Sequence, residues 1–346
     1  MKKMLNYLGV LLLLFSIMLL SACSKAGSAV NRLPTKETRT NLLGTVISIT
    51  VYQEVEKKVF DDAFAIVSDI DTRMSANRTD SEISMIGLES GRRPVPVSED
   101  TYRLIERAIG FSGLCGGAFD ITIGSVMELW KTGEAFNTLP EASSVRNLLP
   151  LVDYKAIVLS EEGVMLAKEG MKIDLGAIAK GYACDTVLEY LKSQGVETAL
   201  LDFGGNIYVF GEKPDASPWK LGIRSPILGE NAIVCTVTVE NTSLVSSGGY
   251  ERYFEENGAL YHHLLEPSTG YPADSGIISM TIIDESSTRA DALSTACFVL
   301  GLEKGLELLE SLPGSEGLFI MRDHSVVVTS GLAEKVRILD ERFHMQ

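Results

Sequence analysis

A carboxylate and a hydroxyl stand four residues apart near the start of a predicted helix. Residues at this spacing share one helix face, so Asp291 and Thr295 are expected to lie side by side. Their oxygens are hard ligands, which suit Mg²⁺ or Ca²⁺ better than zinc. An aspartate that balances the helix dipole, beside a threonine bonded back to its own turn, fits the same spacing. The spacing alone leaves both interpretations open.

A second candidate is a predicted strand at residues 172–175 that contains Asp174 and leads through Gly176 into a helix. The free N–H groups at a helix start attract anions such as phosphate, and Lys180 adds a positive charge nearby. The glycines match neither the P-loop nor the dinucleotide-binding pattern. A phosphate site and a plain strand–turn–helix junction therefore both fit this segment.

A glycine pair at residues 116–117 precedes Ala118, Phe119 and Asp120. Glycine lets another group approach the backbone closely, and here an aromatic ring and a carboxylate follow at once. The pattern is short and is also found in ordinary turns. It indicates a ligand-contacting loop only in combination with other signals.

His262 and His263, two of the four histidines in the chain, adjoin at the end of a predicted extended segment. A turn-rich stretch with proline and glycine follows them. An imidazole beside a pyrophosphate can move protons near neutral pH, which suits general acid–base catalysis. A structural histidine pair gives the same pattern.

The elements that position these residues are a mixture of strands and helices without regular alternation. Apolar residues at helical spacing predict helices over residues 56–75 and 177–193, another that begins after Ser98, and a long one over 287–312. Residues 76–98 are expected to form a polar loop. Strands are predicted at 42–52, 154–167 (a hairpin), 172–175, 198–210, 219–224, 232–239, 277–284 and 317–329. The predicted fold class is α+β.

The N-terminus has the features of an export signal. Two lysines precede an apolar run at residues 8–20, which is shorter than the roughly 20 residues of a transmembrane helix. The run ends in a small-residue segment before Cys23, which resembles the lipobox of bacterial lipoproteins; an ordinary signal peptide is the alternative. We predict a signal peptide (1–22), a lipidated Cys23 with a flexible tether (23–40) and one folded domain (41–346). Two acyl chains give stable anchoring at the outer face of the cell membrane.

Charge and cysteine content narrow the function classes. Removal of residues 1–22 takes away two lysines and no acid, so the formal charge moves from −15 to −17. Nucleic-acid binding requires clustered basic residues, so a nucleic-acid partner is not expected. The four cysteines after Cys23 show no zinc spacing and are expected to be buried free thiols.

Seven short motifs in this order resemble the ApbE family, the FAD:protein FMN transferases. The resemblance runs from about Leu42 to the C-terminus. It implies a single two-lobed α+β domain that binds FAD in its cleft. The matching segments are GGAFD (116–120), IDLGAIAKGYA (173–183), DFGGNIY (202–208), GIRSP (222–226), SGGYERYF (247–254), HHLLEPSTGYP (262–272) and ADALSTA (290–296).

The resemblance also implies roles for individual residues. Mg²⁺ would be held by the side chains of Asp291 and Thr295 and by the backbone carbonyl of Ala177. His263 would be the catalytic acid or base. The residues implied in FAD binding are Leu43, Asn77, Ala118, Phe119, Asp120, Asp174, Lys180 and Leu265. Members of the family often have tyrosine where this chain has Asn77.

The implied reaction is transfer of FMN from FAD to a threonine or serine hydroxyl of a target protein, with release of AMP. The resemblance implies targets that carry a D-x-x-[ST]-G-A-T-like segment and are commonly membrane redox subunits. A lipid anchor would hold enzyme and target at one surface. Two alternatives stay open: a Mg²⁺-dependent FAD pyrophosphatase, and a flavin-binding lipoprotein without turnover.

Overall fold

The computed structural model describes residues 34–130 and 139–346. The predicted signal peptide, Cys23 and the tether up to residue 33 lie outside the described residues. The prediction of a tether as far as residue 40 is wrong at its end, because a strand, β1, covers Thr35–Leu42. Its residues are exposed or half-buried at the edge of a sheet, so their polar composition resembles that of a linker.

The described chain contains both helices and many strands, as an α+β fold requires. The helices are α1 (Lys57–Met74), α2 (Glu82–Leu88), α3 (Glu99–Leu114), α4 (Gly124–Trp130), α5 (Ala142–Leu148), α6 (Ala179–Ser193), α7 (Ser287–Leu300) and α8 (Leu302–Glu310). The strands after β1 are β2 (Thr45–Val51), β3 (Ile157–Ser160), β4 (Gly163–Leu166), β5 (Ala199–Phe203), β6 (Asn206–Phe210), β7 (Trp219–Arg224), β8 (Ile233–Val239), β9 (Thr242–Gly248), β10 (Tyr253–Glu256), β11 (Ala259–His262), β12 (Leu265–Glu266), β13 (Tyr271–Pro272), β14 (Ile277–Asp284), β15 (Glu316–Met321), β16 (Ser325–Val328), β17 (Val336–Ile338) and β18 (His344–Met345).

The strands form one large sheet and several small ones. The large sheet has nine strands in the order β1-β2-β5-β6-β9-β14-β15-β16-β18, antiparallel except for the last pair. A three-stranded sheet has the order β17-β8-β7. The pairs β3–β4, β10–β11 and β12–β13 form separate two-stranded ladders.

The large sheet is buried on both faces, which makes the fold layered. Side chains alternate across a strand, and in β14 Met280 and Ile282 belong to one core while Ile283 belongs to the other. The first core contains α1, α3, α6 and α7; the second is shared with the three-stranded sheet. The helices that carry the candidate site are therefore packed on one sheet face. Pro34–Gln346 forms one compact unit.

Several predicted elements are confirmed. Helix α1 buries the residues at the predicted helical spacing, and Ser98 caps α3 by accepting a hydrogen bond from the Thr101 N–H. The hairpin predicted at residues 154–167 is β3–β4. The four described cysteines are buried and free. Within the described segments, no helix is both long and apolar enough to cross a membrane.

Three predicted elements require correction. The polar loop predicted at 76–98 contains α2, whose N-cap Ser81 and buried Ile83 and Ile86 stabilise a short helix. The strand predicted at 172–175 is reduced to one bridge between Lys172 and Ile123. The helix predicted at 287–312 is two helices, because the backbone turns at Gly301, where φ is +82°.

Candidate functional site

Helices α6 and α7 approach each other closely, and this contact is the base of the candidate site. Gly181 faces the backbone of α7, where a Cβ atom would overlap the Ser287 carbonyl oxygen. The Asp185 carboxylate of α6 accepts hydrogen bonds from the N–H groups of Ser287 (2.8 Å) and Thr288 (3.0 Å). It thereby satisfies two of the free donors at the start of α7. The missing side chain at Gly181 and the hydrogen bonds of the Asp185 carboxylate together fix how α6 and α7 pack against each other.

Asp291 joins the helix pair one turn further along α7. Its side chain is buried, and its Oδ2 accepts a hydrogen bond from the Gly181 N–H at 2.9 Å. Its Oδ1 lies 3.4 Å from the Lys180 ammonium nitrogen. The carboxylate therefore serves the start of α6, and the idea that Asp291 only balances its own helix dipole is wrong.

The bond from Gly181 to Asp291 changes the first turn of α6. A helical N–H usually donates to the carbonyl four residues earlier, which here is Ala177. Because the Gly181 N–H donates to Asp291 instead, the Ala177 carbonyl accepts no hydrogen bond from residues 34–130 or 139–346. The Thr295 hydroxyl likewise makes none with those residues, so it is not bonded back to its own turn.

The candidate metal ligands at this contact are all oxygens: the Asp291 carboxylate, the Thr295 hydroxyl and, from the turn before α6, the Ala177 carbonyl. This set suits Mg²⁺ or Ca²⁺. No group of three or more His, Cys, Asp or Glu side chains placed to hold a metal occurs among the described residues. A site with one carboxylate and two neutral oxygens is of a different kind, and the assignment of Ala177, Asp291 and Thr295 as metal ligands stays a prediction.

The turn before α6 gathers charged groups around this oxygen set. The Asp174 Oδ1 accepts a hydrogen bond from the Gly176 N–H at 2.7 Å, which closes the turn. Burial raises the pKa of Asp174, while the Gly176 N–H, Arg252 and Lys180 act in the opposite direction. Arg252 and Lys180 thus favour the ionised form of Asp174.

His263 follows β11 and has a fixed orientation. Its Nδ1 lies 3.2 Å from the Arg252 carbonyl oxygen. Since a carbonyl only accepts, Nδ1 carries the proton and Nε2 presents a lone pair. Burial lowers the pKa of His263 to about 3, and the neighbouring cations Arg252 and Lys180 act in the same direction. The imidazole is therefore neutral at physiological pH.

Arg252 links the histidine to the first turn of the sheet. Its guanidinium donates a hydrogen bond to the Gly44 carbonyl at 3.3 Å, and Leu43, half-buried, precedes that glycine. Arg252 therefore lies next to Gly44 and His263, and with Lys180 it acts on the Asp174 carboxylate. Arg252 was assigned no role from the sequence, although it lies in the matching segment SGGYERYF (247–254).

The loop at residues 118–120 is held by its own side chains. Phe119 is 2% exposed and packs in the core. The Asp120 carboxylate accepts hydrogen bonds from the Thr122 N–H (2.8 Å) and hydroxyl (2.6 Å) and from the Tyr154 N–H (3.0 Å), and burial raises its pKa. Both oxygens are already used in shaping the loop. A contact of Ala118, Phe119 or Asp120 with FAD stays a prediction.

Asn77 and Leu265 make no polar contact with the groups around Asp291, Lys180 and His263. Asn77 is exposed in the turn after α1, where its N–H donates to the Ser75 hydroxyl at 3.2 Å. Leu265 is buried in an aromatic cluster with Trp130 and Phe254. The structure gives neither residue a hydrogen bond or ion pair to Asp291, Lys180 or His263. Their contacts with FAD stay predictions.

A cavity of about 530 Å³ lies beside His262. His262, Gly249 and Phe298 are among its walls, together with the tyrosines at 250, 261 and 271. None of the residues predicted to bind FAD or metal lines it. The cavity is thus separate from the oxygen and ammonium groups of the α6–α7 contact.

Comparison with known proteins places this geometry in context. Residues 43–319 match the sequence profile of the ApbE family. The chain is 36% identical to the FAD:protein FMN transferase of Treponema pallidum, covering 88% of this chain and 90% of that protein. It is 33% identical to the enzyme of the same name from Klebsiella pneumoniae, covering 88% of this chain and 95% of that protein.

Solved structures of ApbE proteins have a similar fold. The crystal structure of the ApbE protein of Thermotoga maritima matches with a TM-score of 0.81 and 32% identity, over 88% of this chain and all of that one. The flavinyl transferase ApbE of Pseudomonas stutzeri matches with a TM-score of 0.78 and 28% identity, over 88% and 96% of the two chains. The α+β class is thereby confirmed.

Proposed function

The chain belongs to the ApbE family, and we propose that it transfers the FMN part of FAD to a serine or threonine hydroxyl of a target protein, releasing AMP. The observation that carries the proposal is the hydrogen bond from the Gly181 N–H to Asp291. It leaves the Ala177 carbonyl available beside the carboxylate of a second helix, at the point where Lys180 adds a positive charge. Hard oxygens beside an ammonium group suit a metal-bound pyrophosphate.

The donor set fits Mg²⁺, which would be held by Asp291, Thr295 and the Ala177 carbonyl. When bound there, Mg²⁺ would neutralise pyrophosphate charge and stabilise the charge that develops as the P–O–P bridge breaks. Lys180 provides a second cation for the phosphate oxygens. Asp174 holds the turn in which the α6 N–H groups are presented.

His263 is proposed to act as the general base that accepts the proton of the target hydroxyl. The acceptor hydroxyl attacks the phosphorus on the FMN side, the bond to the AMP phosphate oxygen breaks, and the hydroxyl proton passes to Nε2 of His263. The Arg252 carbonyl holds the ring in the tautomer that this transfer needs. Although the pKa of His263 is about 3 in the free protein, an anionic substrate nearby raises the affinity of the imidazole for a proton.

Hydrolysis of FAD is the alternative reaction at the same site. Asn77 is exposed and has no hydrogen bond to the groups of the α6–α7 contact, so it does not decide between transfer and hydrolysis. Water in place of the protein hydroxyl would give FMN and AMP. Storage of flavin without turnover is the remaining alternative, and it gives no use to a neutral, oriented imidazole such as His263.

We further propose that Cys23 is lipidated and anchors the enzyme at the extracytoplasmic face of the cell membrane, where its targets are membrane redox subunits. The support is the segment Leu20–Cys23 after an apolar run. Cells that express the full chain should hold it in the membrane fraction, with acyl chains detectable by mass spectrometry. Replacement of Cys23 by alanine should remove the acyl chains and release the protein; acylation that persists in that variant would contradict the proposal.

The transfer reaction is tested with the full-length protein in detergent, Mg²⁺, FAD and a target protein that carries a D-x-x-T-G-A-T segment. A gain of one FMN moiety in target mass supports transfer. AMP release with an unchanged target indicates hydrolysis, and the absence of both indicates storage. Asp291→Ala should abolish turnover, while Asp274→Ala, which removes an exposed carboxylate paired with Arg322, should leave it unchanged. An active Asp291→Ala variant would refute the metal assignment.

A further inference from the structure

His262 adjoins the catalytic candidate His263 and packs on the helix with the proposed oxygen ligands. Its side chain is 9% exposed, and its ring lies edge-on against Phe298, with centroids 5.5 Å apart and planes at 90°. Phe298 belongs to α7, three residues beyond Thr295 and seven beyond Asp291. Residues at these spacings lie on similar faces of a helix. The His262 ring therefore contacts the element that carries both ligands.

The same ring also fixes the backbone around His263. Its Nδ1 accepts a hydrogen bond from the Leu264 N–H at 3.3 Å, which spans His263. The backbone N–H of His263 donates to the Arg252 carbonyl at 3.1 Å. A ring nitrogen that accepts from an amide must be unprotonated, and burial lowers the pKa of His262, which favours that state. The bond therefore persists at neutral pH.

The ring has little freedom to move away. Gly249 also lies against the ring, where a Cβ atom would be 2.7 Å from the His262 Cδ2. The chain has no side chain at this position, so the imidazole packs directly on the backbone. Gly249 and Phe298 both contact the ring.

We propose that His262 is a positioning residue that sets the place of His263 relative to Asp291 and Thr295. It does so by holding the Leu264 N–H while it packs on α7 through Phe298. The inference rests on the function proposed for His263 in the transfer reaction. It assigns His262 no contact with substrate.

The test compares two variants of the full-length protein in detergent. His262→Phe keeps a flat ring against Phe298 and removes the acceptor, whereas His262→Asn keeps an acceptor that can reach the N–H two residues on. A displacement of the order of 1 Å costs about a hundredfold in rate, so kcat for FMN transfer should fall by about that factor in His262→Phe. KM for FAD should change by less than about twofold, because substrate binding is not touched. His262→Asn should recover most of kcat.

A second measurement does not depend on turnover. The chain has four histidines, so the His263 ring can be followed by NMR with labelled histidine. In His262→Phe the His263 pKa should rise from about 3 towards the ordinary 6.5, because the loop loosens and water enters. In His262→Asn it should stay near the wild-type value. If His262→Phe does not fold, His262→Leu replaces it.

The outcomes separate the two proposals. A wild-type protein without transfer or hydrolysis refutes the proposed function, and the NMR titration then still decides whether His262 places His263. An equal loss of kcat in the Phe and Asn variants, or a His263 titration that His262→Phe leaves unchanged, overturns the positioning role.

Discussion

Replacement of Asp185 by alanine tests whether the α6–α7 contact builds the site. The carboxylate accepts hydrogen bonds from the Ser287 and Thr288 N–H groups and from the hydroxyls of Ser286 (2.9 Å) and Thr288 (2.6 Å). Asp185→Ala removes all four and leaves the first N–H groups of α7 without this acceptor. Asp291 and Thr295 lie one and two turns further along the same helix.

The loss in stability can be built from two contributions. Removal of a side-chain cap from a helix start costs about 0.5–2 kcal/mol. Loss of a negative charge at the positive end of the helix dipole costs about 0.3–1 kcal/mol more. Since Ser286 also caps α7, through the Arg289 N–H, the middle of the combined range, about 2 kcal/mol, is expected. Asp185→Asn keeps one acceptor oxygen and should cost about half as much.

Urea denaturation measures the free energy of unfolding of each variant, and thermal shift with increasing Mg²⁺ measures the metal response. Asp185→Ala should lose stability and also respond to Mg²⁺ only at higher concentration, because α7 no longer presents its oxygens in place. Asp80→Ala, an exposed carboxylate paired with Arg78, serves as the control and should match the wild type. If Asp185→Ala unfolds at the wild-type urea concentration, or keeps the full Mg²⁺ response, the reasoning about the helix contact is refuted.

Three further predictions concern single positions. Gly181→Ala forces a Cβ into the Ser287 carbonyl and should cost about 1–3 kcal/mol in the free energy of unfolding, measured in urea; a neutral result would mean that the helices separate freely. His263 in the folded protein has a pKa of about 3 against 6.5 ordinarily, so the unfolded chain binds an extra proton between these values and stability falls as the pH drops from 6.5 towards 3. Titration of the unfolding midpoint with pH should show a smaller fall in His263→Gln, and an unchanged curve would exclude the buried neutral imidazole. Asp120→Asn places an amide donor opposite either the Thr122 or the Tyr154 N–H and should cost about 1–3 kcal/mol in urea denaturation; full stability would show that the carboxylate does not hold the loop.

Local patterns predicted the elements whose stabilisation is local or amphipathic. Helix α1 follows from apolar residues at helical spacing, and α3 from its Ser98 cap. Strand β1 was missed because an edge strand is exposed and polar, and the break at Gly301 was missed because a helical apolar pattern continues on both sides of it. In each failure the deciding factor was the position of the segment in the tertiary structure.

The candidate site, like the fold, was predictable where the signal is local and not where it depends on a tertiary contact. The spacing of Asp291 and Thr295 identified two groups on one helix face, but it left their purpose open. The contact that bears on it, from the Gly181 N–H to Asp291, spans 110 residues, and no local pattern contains it. Asp185 was missed for the same reason, since the N–H groups that it holds are about a hundred residues later. An aspartate within a helix, among small and apolar neighbours, was the only local sign of its role.

The hydrogen bond from Gly181 to Asp291 also constrains the order in which the protein can assemble. A ribosome makes the chain from its N-terminus, so α6 exists for the time needed to add about a hundred residues before its partner is available. Strand β2 must likewise wait for β5, with which Ile47 pairs at Phe203. Contacts between such distant residues form slowly, and the segments that await them expose apolar surface meanwhile. An unfinished chain therefore lacks the Gly181–Asp291 contact on which the proposed metal site depends, and a truncation anywhere before α7 should leave a polypeptide that chaperones hold and proteases remove.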